Sequence, residues 1–107
     1  MSRSTAGPDV FHAIADPTRR AILDMLRGGE KAVLSLCDQF DMTQPAVSQH
    51  LKVLRKARLV SERKVGRQRL YSLRAEPLRE VYAWVDHYER FWLSKLDALG
   101  QYLDKKS

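Results

Sequence analysis

The chain has 107 residues, 44% of them apolar and 30% charged, which fits one soluble domain with a modest core. Its 19 Lys and Arg against 13 Asp and Glu give a formal charge of +6 and a pI near 9.8, an excess that favours a polyanionic partner, nucleic acid or an anionic membrane. No apolar run approaches the roughly 18–20 residues that span a bilayer, no apolar stretch follows MSRSTAGP to make a signal peptide, and one cysteine allows no intrachain disulfide, so a reducing cytoplasm is the expected setting.

Residues 1–8 are small and polar and are expected to be disordered. Asp9 can cap a first helix carrying Val10, Phe11 and Ile14. In DPTRRAILDMLRGG, Asp16 caps a second helix, Pro17 suits its first turn, and Gly28 and Gly29 stop it. Val33, Leu36, Cys37 and Phe40 make AVLSLCDQF a two-turn amphipathic helix over 33–40. After the short connection DMT, Thr43 is a good N-cap for a fourth helix over 44–57, with Pro45 in its first turn. From Leu59 the composition shifts, and LVSERKVGRQRLYSL reads as two antiparallel strands, about 59–64 and 69–73, turning at VGRQ. Pro77 then opens the longest helix, expected to run unbroken to about Leu103, with 104–107 frayed. There is no internal repeat, low-complexity segment or linker, so residues 9–103 are expected to form one domain, mostly α with a small β-hairpin.

Helix, three-residue turn, helix is the helix-turn-helix order, in which the second helix enters the DNA major groove. In that second helix Val47, Leu51 and Leu54 form the buried stripe. Pro45, Gln49, Lys52 and Lys56 point the other way, Ser48 lies on the flank, and Gln44 sits at the N-terminus, where backbone N–H groups favour a phosphate. Gln pairs with adenine edges and Lys with guanine edges. With Thr43 and His50 these residues make the expected recognition surface. The hairpin that follows, with Arg63, Lys64, Arg67, Gln68 and Arg69 at or near its tip, has the character of a wing gripping the DNA backbone or minor groove.

ADPTRRAIL, TQPAVSQHLKVLRKARLV and RKVGRQRLYSL, in that order and spacing, resemble the ArsR/SmtB family of bacterial winged-helix repressors over about residues 9–103. The resemblance implies a homodimer, paired through the first and last helices, that binds double-stranded operator DNA and represses transcription. Many members of the family release DNA on binding a metal, and here the sequence departs from the pattern. Arsenic sensors carry a Cys-Val-Cys-Asp run where this chain has AVLS, so Ala32 and Leu34 stand at the thiolate positions. Zinc sensors place paired Asp/His and His/Glu motifs on the last helix, which here has His87 alone. Soft-metal sites need several converging thiolates or imidazoles. The reading is therefore of a member without metal or cofactor, whose small-molecule or protein effector is left open.

Other side chains carry more than one reading. Cys37 lies in an apolar stripe and reads as a core thiol, since a sulfur relay would need a second cysteine. His50, beside Val47 and Leu54, reads as a satisfied, partly buried histidine or a phosphate contact, and His87 as a surface or dimer-seam residue. Arg19 and Arg20 either reach phosphates or form a solvated helix face. Asp86, His87 and Glu89 come without a nucleophile motif or glycine-rich loop, so no enzyme is expected. Trp84, Tyr88, Phe91 and Trp92 could form core, a ligand pocket or a dimer seam. A helix of about 27 residues has too little partner surface in so short a chain, which points to the seam: Val10, Phe11 and Ile14 with Val81, Trp84, Val85, Tyr88, Phe91, Trp92, Leu96 and Leu99.

Two other classes of function compete. A protein-binding face needs apolar anchors, and a membrane-binding face needs Trp, Phe or Leu beside Lys. The Gln, Ser and Lys residues of the fourth helix fit neither. A metal- or thiol-responsive repressor of the same family is the remaining alternative.

Overall fold

The computed structural model describes residues 9–106, with side chains through Gly100. The expected disorder of residues 1–8 and fraying of Ser107 fall outside the described residues, while the backbone is helical through Lys106, past the expected end at Leu103.

Side-chain caps start the first helices as their sequences require. Asp9 accepts the His12 backbone N–H at 2.8 Å to open α1 (Val10–Ile14), and Asp16 accepts that of Arg19 at 3.0 Å to open α2 (Pro17–Leu26). The end of α1 is closed from the next helix. Arg19 donates to the carbonyls of Ala13 (2.7 Å) and His12 (3.1 Å), and Arg20 to that of Ile14 (2.7 Å). These arginines satisfy carbonyls that a helix end leaves open, so the structure gives both a structural role.

The chain then forms a short strand β1 (Lys31–Ala32), α3 (Val33–Phe40) and α4 (Gln44–Lys56). Both α3 and α4 end the same way. Asp41 (φ +52°) and Arg58 (φ +64°) take the left-handed conformation, and the next residue's N–H reaches five residues back: Met42 to Cys37 at 3.2 Å, Leu59 to Leu54 at 2.9 Å. That closure usually falls to glycine, and here two residues with side chains accept it. It turns the chain sharply at both points, which sets the angle between α3 and α4 and aims the hairpin.

The core fills the space inside these turns. Ile22, Leu36, Val47, Leu51, Leu54 and Leu59 are each under 2% exposed. Full burial of such side chains stabilises by about 1.5–3 kcal/mol apiece.

Strands β2 (Val60–Val65) and β3 (Gln68–Leu73) pair antiparallel, from Val60 opposite Leu73 to Val65 opposite Gln68. Gly66 (φ +62°) begins the two-residue loop, a position that favours glycine. The expected hairpin is present, with its first strand one residue later because Leu59 belongs to the close of α4. A third strand was not expected. β1 pairs with β3, Lys31 opposite Tyr71 and Ala32 opposite Leu70, giving the order β1-β3-β2.

The unbroken last helix is corrected. The segment divides into α5 (Leu78–Asp86) and α6 (Glu89–Lys106). At the joint the bonds tighten to three-residue spacing: His87 to Trp84 (3.2 Å), Tyr88 to Val85 (2.8 Å) and Phe91 to Tyr88 (3.0 Å). Neither proline nor glycine marks the break. The sequence does hold Asp86 and Glu89 three apart before FWL, a pattern that starts helices, and Glu89 lies in the first turn of α6, where negative charge is favoured.

Candidate nucleic-acid interface

Burial of Val47, Leu51 and Leu54 fixes the rotation of α4 about its axis. Thr43 Oγ1 accepts the Ala46 N–H at 3.3 Å and sets the first turn. The opposite face is therefore solvent-facing: Thr43, Gln44, Pro45, Ser48, Gln49, Lys52 and Lys56 are all exposed. Gln44, Ser48, Gln49, Lys52 and Lys56 line one wall of an open groove of about 610 Å³, and the wing supplies Arg69 and Tyr71 to the other. A smaller hollow of about 170 Å³ continues past Gln44 to Leu34, Arg67, Gln68 and Arg69. Recognition helix and wing thus share one cation-lined concavity, although the residues come from separate elements.

The carboxylates around the groove sort its arginines. Glu30 takes Arg63 by both oxygens, 2.7 Å from Nε and 3.0 Å from Nη2, and accepts the Ser72 hydroxyl at 3.3 Å. The paired guanidinium holds the Glu30 carboxyl below its ordinary value, and the Glu30 carboxylate raises Arg63 in turn. Glu62 meets Arg55 Nη1 at 2.7 Å, Arg69 Nη1 at 3.4 Å and the Tyr71 hydroxyl at 3.0 Å. Burial, and then the neighbouring Glu62 carboxylate, push the Tyr71 phenol up. Lys64 and Arg67 have no ion-pair partner among the described residues.

Three expected site residues are placed differently from the rest. His50 is half-buried on the α2 side, its Nδ1 3.4 Å from Arg19 Nη1, and does not line the groove. That is the satisfied-histidine alternative. Arg63, two positions before the end of β2, is paired with Glu30 while its side chain stays exposed. Val10 is 4% exposed within the chain's own core and offers nothing to a second chain. The expected DNA-binding set lacks five residues that line these hollows, Ala32, Val33, Leu34, Arg55 and Tyr71; among them Arg55 is paired with Glu62 and Leu34 is exposed beside the wing. Cys37 is half-buried against the core.

The other expected surface lies on α1, α5 and α6. Phe11, Ile14, Val81 and Val85 are half-buried, and Trp84, Tyr88, Phe91, Trp92, Leu96 and Leu99 are exposed. Phe11 meets Trp84 edge-on at 5.9 Å, Trp84 meets Tyr88 at 5.4 Å, and Tyr88 lies 6.2 Å from Phe91. Tyr82 and Leu93 add to the exposed apolar area. No helix among the described residues is long and apolar enough to cross a membrane.

This arrangement has known relatives. The family described as bacterial regulatory protein, arsR family, matches residues 16–62. The transcriptional repressor SdpR of Bacillus subtilis (strain 168) is 38% identical over 77 residues, 72% of this chain and 86% of that protein. The HTH-type transcriptional regulator Rv2034 of Mycobacterium tuberculosis (strain ATCC 25618 / H37Rv) is 42% identical over 106 residues, 99% of this chain and 96% of that protein. Among solved structures, an ArsR-like transcriptional regulator from Rhodococcus sp. RHA1 superposes with a TM-score of 0.69 at 28% identity, covering 90% of this chain and 88% of that one.

Proposed function

The chain belongs to the arsR family of bacterial regulatory proteins and is a DNA-binding transcriptional regulator, not an enzyme; from that premise we propose a repressor that binds an inverted-repeat operator as a homodimer. The observation that carries the reading is the shared groove, where Gln44, Ser48 and Gln49 offer hydrogen bonds to base edges between the cations Lys52, Lys56 and Arg69. Lys64 and Arg67, free of ion pairs among the described residues, supply phosphate contacts that add affinity on any sequence.

The dimer is read from the apolar face of α5 and α6, since soluble monomers rarely leave so large a contiguous patch to water. A second copy would set two recognition helices about one DNA turn apart. The setting is the cytoplasm, and release from DNA depends on an effector other than a thiolate-held metal. Ala32 and Leu34 carry hydrocarbon side chains with no lone pair to give.

The test is selection from a random-sequence duplex library by the purified protein, followed by salt titration on the enriched duplex. An enriched inverted repeat, bound with a steep salt slope, is the expected result. Enrichment of a single half-site, or of nothing, would sink the operator reading.

A further inference from the structure

Glu62 occupies an unusual position for a carboxylate in a DNA-binding protein. Its side chain is 14% exposed, flanked by Arg55 at 59% and Arg69 at 62%. One oxygen takes Arg55 from the last turn of α4, and the other takes Arg69 from β3 together with the Tyr71 hydroxyl. Tyr71 is buried and lies directly across the ladder from Glu62, so the carboxylate is fixed from beneath. Both arginines line the groove alongside Gln49, Lys52 and Lys56.

We propose that Glu62 is a positioning residue for DNA recognition, holding Arg55 of the recognition helix and Arg69 of the wing as one fixed pair of phosphate donors on the groove rim. Each guanidinium carries five N–H donors in a rigid fork and meets Glu62 through Nη1, leaving donors for an incoming phosphate. A free arginine loses rotamer freedom when it grips a phosphate, whereas one already held loses less. The carboxylate also ties α4 to the wing, so the spacing between helix and wing contacts is set before DNA arrives. This inference rests on the regulator reading above.

The sign of one substitution separates positioning from charge. A carboxylate beside the DNA backbone repels it, so a Glu62 that merely subtracts charge would, once neutralised, tighten binding to every duplex alike. Positioning gives the opposite result on the preferred sequence. The probes are the duplex enriched by the wild-type protein from a random library and an unrelated duplex of equal length, at one salt concentration. Glu62→Gln keeps the shape and leaves an amide oxygen for Tyr71. It should bind the enriched duplex about tenfold more weakly, the worth of a lost charge-assisted hydrogen bond, and the unrelated duplex more weakly as well, since phosphate contacts form on any sequence. With Arg55→Ala already in place the same change should cost less, because the two groups act as a unit. Tighter binding of Glu62→Gln to both duplexes would overturn the inference. Should that variant melt, Arg69→Lys carries the test: it keeps the charge and loses the fork, and wild-type affinity for the enriched duplex would overturn the inference equally. If the wild-type chain enriches no sequence at all, the regulator reading fails and takes this inference with it.

Discussion

Helices α4 and α6 carry the same apolar spacing and meet opposite fates. Val47, Leu51 and Leu54 stand at i, i+4 and i+7, as do Trp92, Leu96 and Leu99. Leu51 and Leu54 are 1% and 0% exposed, while Leu96 and Leu99 are 61% and 53% exposed. In α4 the stripe meets α2, α3 and the wing, but the last helix projects away from them. The radius of gyration, 18.4 Å, is far above the roughly 13 Å of a compact domain of about 100 residues. A periodic stripe says that a helix has a face to bury. It does not say whether the burying surface belongs to the same chain.

The sharpest way to break this comparison is to truncate one leucine from each stripe. Leu54→Ala should cost about 2–5 kcal/mol of global stability, read from the denaturant midpoint, because a packed cavity opens. Leu96→Ala in a dilute, monomeric sample should stay within about 0.5 kcal/mol. Equal losses would mean that α6 packs into the same core. Next in size is Trp92→Glu, which should leave the monomer folded and shift light scattering from twice the 12.4 kDa chain mass towards one. A wild-type monomer at micromolar concentration would remove the basis for the dimer.

Within the groove the contrast lies between reading and gripping. Gln49→Ala should lose about 1–3 kcal/mol on the enriched duplex and much less on unrelated DNA. Arg67→Ala should weaken both alike and lower the salt slope by about one. Loss of sequence preference on Arg67→Ala would instead mean that the wing reads the minor groove.

The smallest effect expected is a pH response of opposite sign in the core, at the α2 cap and the wing, and at the joint between α5 and α6. The Arg19 backbone N–H lowers Asp16 and the Arg63 guanidinium lowers Glu30, so each stabilises the fold above its unfolded value, 3.8 or 4.5. That contribution disappears as pH falls through the lowered values. Glu89 is raised by its hydrogen bond to Asp86, so the folded chain holds that proton more tightly than the unfolded one. Its contribution is present below 4.5 and is lost as pH rises through the raised value. Trp84 in α5 and Trp92 in α6 flank the Asp86–Glu89 joint, so their fluorescence follows it separately from the circular dichroism of the whole. Acidification from neutral pH towards 4.5 should steady the tryptophan signal and leave the global melt unchanged. A tryptophan signal that weakened first would reverse the assignment.

By itself the sequence determined what acts within a turn or two of chain. The caps at Asp9, Asp16 and Thr43, the span of α3 from Val33 to Phe40 and the outward face of α4 follow from local hydrogen bonding and 3.6-residue periodicity, and they recur in the structure. Tertiary structure decided the rest. β1 is two residues long, too short to show a period, and exists because β3 offers an edge. Asp41 and Arg58 take a left-handed conformation that glycine would have advertised, and packing of Leu59 behind Leu54 holds the second. Arg63 meets Glu30 across 33 positions, and Arg19 meets His50 across 31. Charges and donors that far apart choose partners only after the core has set their distances, so residues that look equally free in the sequence divide into those held within the fold and those left facing solvent.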